Sequence, residues 1–141
     1  MKDTILNQTS LAEVRDTFQF LDDWEDRYRY VIDLGKKLPD LDDAEKIDLY
    51  KVRGCQSQVW LVPEKKDGRL SLRGDSDAHI VRGLVALMLL IFSDKTPADI
   101  LKTDARAILD ELGLAQHLSP MRANGLFSMV ERIRAIAADA L

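Results

Sequence analysis

The residue most open to nucleophilic chemistry is Cys55, set in the run Gly54-Cys55-Gln56-Ser57-Gln58. A glycine beside a cysteine, among polar residues, lets the backbone bend and present the side chain. A thiol reacts as its thiolate, so it needs a cation or an oriented amide close by, and the neighbouring Arg53 is expected to favour the ionised form. As the only cysteine of the chain, Cys55 cannot form an internal disulfide, and one thiolate is too few for a zinc or cluster-binding site. Two readings stay open on these grounds: an inert, buried small hydrophobe, or a working thiol. His79 and His117 could each serve a cysteine hydrolase as its base, but nothing in their spacing places either beside Cys55.

The elements that must hold this residue belong to one domain, because 141 residues suffice for one core and not for two. With 46% hydrophobic and 31% charged residues, the composition is that of a chain that folds on its own. Its 20 basic residues are scattered against 24 acidic ones, for a net charge of -4, so nucleic acid is not an expected partner. The opening MKDTILNQTS turns polar at once and does not read as a leader. The most apolar run, Leu84 to Phe92, falls well short of the roughly twenty residues that span a bilayer. No membrane association and a cytoplasmic location are therefore expected.

Ser10 followed by Glu13 predicts a capping box, and Leu11, Val14, Phe18 and Leu21, then Trp24, Tyr28 and Ile32 up to Gly35, repeat at helical spacing. This predicts one long helix or two consecutive ones. Asp42 is placed to cap a short turn after Pro39. From Tyr50 to Ser76 the pattern becomes extended, predicting a short strand at Tyr50–Gly54 and then a hairpin turning at Asp67-Gly68. Cys55 falls in the bend between them. Ser76 is expected to cap a central helix carrying Ile80, Val81, Leu84, Leu87, Met88 and Ile91. Two short helices should start at Thr96-Pro97 and Asp104, with Gly113 closing the second, and Ser119-Pro120 should open a last amphipathic helix. The expected fold is α+β, a small three-stranded antiparallel sheet packed against several helices.

Three separated blocks carry more information than the patterning. They are Gly54-Cys55-Gln56-Ser57-Gln58-Val59-Trp60; Gly74-Asp75-Ser76-Asp77-Ala78 with Ile80-Val81-Arg82-Gly83-Leu84; and Leu118-Ser119-Pro120 with Arg122, Asn124-Gly125-Leu126 and Met129. In this order they resemble the SufE family of sulfur acceptor proteins, over nearly the whole chain from about Phe20 onward. The resemblance implies a fold shared with iron–sulfur scaffold proteins of the IscU type. It also implies a pyridoxal-phosphate-dependent cysteine desulfurase (SufS-like) as partner, with Cys55 as the sulfur acceptor and an iron–sulfur scaffold complex downstream. The pyridoxal phosphate belongs to the partner, and no cofactor or metal is expected here. A scaffold holds its cluster with several cysteines, so this chain would relay sulfur rather than assemble a cluster. The family's cysteine loop folds into an apolar shelter and is exposed on docking, and Gly54 is the expected hinge.

Several residues near these blocks have a competing structural role. Asp75 and Asp77 flank the expected cap at Ser76, where a carboxylate is favourable in any helix. Asp77 is divided evenly between docking and capping. Arg122 sits in the first turn of the last helix, a poor place for a cation, and the family pattern also has an arginine there, which points to the partner surface. Gln56 and Ser57 would donate hydrogen bonds to the sulfur or finish a turn, and Trp60 belongs to the core. The alternatives to sulfur transfer into cluster assembly are a paralogue of the CsdE type serving another desulfurase and acceptor, a non-covalent adaptor, and a stand-alone cysteine enzyme. Monomer and homodimer are both compatible with the sequence.

Overall fold

A computed structural model describes residues 5–141 of the chain, so the first four residues of the segment read above for a leader lie outside the description. The opening helical pattern resolves into two helices with separate caps. Ser10 accepts from the Glu13 N–H at 3.2 Å to start α1 (Leu11–Phe20), and Asp23 accepts from the Asp26 N–H at 2.8 Å to start α2 (Trp24–Lys36). The reciprocal half of the expected capping box is diverted, because the Glu13 carboxylate takes the Thr9 hydroxyl at 2.5 Å. Asp42 precedes one turn of 3-10 helix, Asp43–Glu45, and a second such turn follows at Asp48–Tyr50.

The sheet has two strands, β1 (Val59–Lys66) and β2 (Arg69–Ser76), paired antiparallel from Val59↔Ser76 to Lys66↔Arg69. The third strand expected at Tyr50–Gly54 is absent. Only the single bridge Lys51↔Trp60 forms, with the Val52 N–H on the Val59 carbonyl at 2.8 Å. The 3-10 turn before it and the turn at Arg53-Gly54 after it leave no run of extended backbone to pair. At the other end, Asp67 and Gly68 adopt φ of 54° and 78°, the positive values a two-residue hairpin requires. Leu72 turns its N–H outward to the Ser93 hydroxyl at 2.8 Å, so its partner Pro63 faces the outer edge of β1, where a missing N–H removes no bond of the ladder.

Ser76 does not cap the central helix. It is the last residue of β2, paired with Val59, and α3 (His79–Phe92) starts two residues after Asp77 with Ala78 at its N-cap and no side-chain cap. Every residue of α3 from Gly83 to Phe92 is buried, and each fully buried Leu, Ile or Phe contributes roughly 1.5–3 kcal/mol. Around it pack α2, the hairpin and the last helix. Contact with α2 is backbone to backbone, since a Cβ at Gly83 would lie 2.1 Å from the Val31 carbonyl oxygen. The inner face of the hairpin supplies Val59, Leu61, Leu70 and Leu72 to the core. The opposite face sets Trp60 and Val62 against Leu41 and Tyr50.

Thr96 and Asp104 cap α4 (Pro97–Lys102) and α5 (Ala105–Leu112), and Gly113 closes α5 in the left-handed region, as expected. A short α6 (Leu114–His117) then intervenes, and His117 is its last residue. Ser119 accepts from the Arg122 N–H at 3.3 Å and opens α7 (Pro120–Asp139). The α+β class stands. Among the described residues, no helix is long and apolar enough to cross a membrane.

Candidate functional site

Cys55 lies on a loop between the Lys51 bridge and β1, laid along α7. Three contacts seat the loop. The chain approaching it is held by the Arg132 guanidinium, which donates to the Leu49 carbonyl at 3.0 Å. Gly54 rests against Ser128 with φ of 88°, and a Cβ there would come within 2.5 Å of the Ser128 Oγ. Both the left-handed backbone and the lack of space therefore require glycine at the position expected to act as hinge. One helical turn earlier, the Cys55 thiol meets the bare backbone of Gly125, donating to its carbonyl at 3.5 Å. A glycine inside a helix costs about 1 kcal/mol against alanine. Here it lets the sulfur approach the helix.

The thiol lines a cavity of about 60 Å³ with Gln56, Ser57, Val81, Leu84, Met121, Arg122, Gly125 and Met129. A water's share of liquid volume is about 30 Å³, so an atom or two can be added beside the sulfur without opening the loop. Burial pushes the Cys55 pKa up. The effect expected of Arg53 is not seen: its side chain is exposed, and its charge does not offset the loss of solvation at the sulfur. At neutral pH the resting thiol is held in its protonated form.

The other expected site residues separate into two groups. Gln56, Ser57 and Arg122 line the cavity with Cys55. Asp75 and Asp77 do not, and each has a structural anchor. Asp77 accepts from the Gln58 N–H at 3.0 Å, while its own N–H meets the Gln58 carbonyl at 3.3 Å, which pins the exit of the cysteine loop to the start of α3. Asp75 is 2% exposed. One of its oxygens takes the Ser76 N–H at 2.8 Å and Arg82 Nη1 at 2.9 Å, and the other faces Lys46 at 3.7 Å. Arg82 then reaches the Gly35 and Leu38 carbonyls and Asp40.

His79 and His117 do not line the cysteine cavity. His117 stacks on Trp24 with centroids 3.9 Å apart, and Trp60 is core, covered by Lys46. Among the described residues, no group of three or more His, Cys, Asp or Glu side chains could hold a metal ion. Sequence reasoning missed the roles of Ser128, Met121 and Gly125. Of these only Gly125 left a legible signal, as a glycine in the middle of a helical pattern.

Comparison with known proteins agrees with the geometry. The chain is 53% identical over 133 residues to an uncharacterized SufE-like protein of Rhizobium meliloti, covering 92% of this chain and 95% of that one. It is 52% identical over 133 residues to a second, from Rhizobium etli, covering 92% and 90%. Among solved structures, a hypothetical protein from Thermus thermophilus matches with a TM-score of 0.74 at 20% identity, covering 92% of this chain and 94% of that one, a likeness of fold. The model of the SufE Fe-S metabolism associated domain matches residues 12–137, reaching back into α1, further than the motif blocks from about Phe20 carry. The cysteine loop and the helices that seat it thus lie within the matched region, and the chain belongs to the SufE family, with a role in iron–sulfur metabolism.

Proposed function

We propose that Cys55 accepts a sulfur atom from the persulfide of a pyridoxal-phosphate-dependent cysteine desulfurase, stimulates that enzyme by clearing its persulfide, and passes the sulfur on toward iron–sulfur cluster assembly in the cytoplasm. The observation that carries this reading is the chain's one cysteine, seated by two glycines over a small cavity with room beside the sulfur. In the transfer, the Cys55 thiolate attacks the outer sulfur of the donor persulfide. A new S–S bond forms, the donor's S–S bond breaks, and the donor cysteine leaves as thiolate. No electron is exchanged with an outside oxidant, and this chain needs no cofactor or metal of its own.

The raised thiol pKa fits a two-state cycle. In the closed loop the thiol is neutral and inert. Outside the cavity it regains solvation, its pKa falls toward the ordinary thiol range near 8.5, and it becomes a competent nucleophile. Return to the cavity then shelters the persulfide from small thiols. In this reading Gly54 is the hinge, Gln56, Ser57 and Arg122 are the polar walls of the shelter, and Asp77 fixes the end of the loop that does not move.

Intact-mass spectrometry of wild type and Cys55→Ser, after incubation with a cysteine desulfurase and free cysteine without reductant, tests the proposal. Wild type should gain one sulfur atom and Cys55→Ser none. A Cys55→Ser protein that stimulates the desulfurase fully would make this a non-covalent adaptor instead.

A further inference from the structure

Beside the cysteine cavity, and sharing Arg122 with it, runs a groove of about 600 Å³ between α2 and the starts of α3 and α7. Its volume is within the range of ligand clefts, about 300–1,000 Å³. Although the chain carries 24 acidic residues, none of those among the described residues lines this groove. Its walls are Tyr28, Ile32, His79, Ile80, His117 and Arg122, with Ala78, Leu118 and Ser119. The carboxylate nearest in sequence, Asp77, is engaged with the Gln58 N–H and does not line it.

Three sources of positive potential converge on the groove. Arg122 has no ion-pair partner among the described residues. The first turn of α7, where Arg122 sits, holds no acidic residue. The first turn of α3 holds none either, and its N-cap Ala78 offers no side-chain oxygen, so the positive ends of both helix dipoles point here, that of α7 meeting only the neutral Ser119 hydroxyl and that of α3 with Asp77 turned to the Gln58 N–H. The floor is apolar and half open, with Ile32 and Ile80 incompletely buried and Met121, 56% exposed, at the cysteine side.

We propose that this groove seats an acidic, partly apolar segment of the sulfur-donating protein. The inference rests on the sulfur-acceptor reading and adds the place and chemistry of docking. A small anion would satisfy Arg122 and leave the isoleucines wet, whereas a protein segment with a carboxylate and an apolar side chain satisfies both. Because Arg122 borders both cavities, the occupant sits directly beside the Cys55 loop, where it can favour the open loop.

Calorimetric binding of a pyridoxal-phosphate-dependent cysteine desulfurase at low and high salt tests this, with His79→Glu, Arg122→Glu and a control, Lys66→Glu, at the far tip of the hairpin. Glutamate at position 79 is the first residue of α3 and favours that helix, so the variant should fold and melt no lower than wild type. Each groove variant should weaken binding at least tenfold at low salt and flatten its salt dependence, while Lys66→Glu binds as wild type does. Unchanged affinity in both groove variants, or equal loss in all three, overturns the inference. Wild type that binds with the expected salt dependence but gains no sulfur on Cys55 overturns the sulfur-acceptor reading and leaves the groove standing.

Discussion

At the end of β2, the Asp75 carboxylate and the Arg82 guanidinium tie the strand to α3, to the end of α2 and to the segment after it, through charge-assisted hydrogen bonds of 2.7–2.9 Å. At the start of β1, the cysteine loop rests on α7 through a long thiol–carbonyl contact and a glycine against a serine, and the chain before it joins β1 by a single bridge. Both regions flank the same hairpin end, where Val59 pairs with Ser76. One commits its polar groups to a buried joint in which every partner is specified. The other keeps its thiol neutral and its contacts few. The opening proposed for the loop requires a frame that does not move with it, and the buried charge pair gives the frame that property.

The comparison can be broken first at its rigid side. Arg82→Met leaves the buried Asp75 carboxylate with the Ser76 and Leu41 N–H groups and with Lys46 as its one remaining cation, and removing one partner of a buried pair costs about 3–5 kcal/mol. Urea unfolding should register a loss of that order. On the loop side, Gly54→Ala imposes a left-handed φ on alanine and a clash with Ser128, for a loss of about 1–2 kcal/mol. Its more telling readout is a faster reaction of Cys55 with a small thiol reagent, because the closed loop is disfavoured. If the reaction is no faster while stability falls, the loop is not hinged at Gly54.

Asp77→Ala releases the Gln58 N–H, a loss of about 1 kcal/mol, and should loosen the loop exit without disturbing the Asp75 joint. The smallest effect is in pH. An unfolded thiol ionises near pH 8.5, whereas burial holds folded Cys55 protonated to higher pH. Above that point the folded state binds more protons than the unfolded one, so stability falls as pH rises, until the folded thiol also ionises. Cys55→Ser should lack this alkaline slope in otherwise matched denaturation series.

Most of the frame was legible because it is local. Ser10, Thr96, Asp104 and Ser119 all cap the helices that their positions predict, and Asp67-Gly68 turns the hairpin. Ser76 misled because a serine just before a helical pattern satisfies the cap rule equally well at the end of a strand, and pairing with Val59 decided the matter. The third strand failed for a related reason: YKVRG has strand-like residues, but whether they pair depends on the turns on either side. At the site, Cys55 and Gly54 were visible as types. That Ser128 and Gly125, some seventy positions away in the chain, form their seat is tertiary information with no local signature beyond one glycine inside a helix.

Pro63, in the middle of β1, has a consequence for how copies of this protein meet. A two-stranded sheet has two edges, and here the outer edge of β2 is occupied by the Ser93–Lys95 segment, while that of β1 is bridged only at its first residues. An extended chain approaching the rest of β1 finds no donor at Pro63, and then a run of Glu64, Lys65 and Lys66. Missing donors and charged side chains are what make an edge a poor template for strand addition. The hairpin can therefore stay small and partly open without seeding cross-β growth.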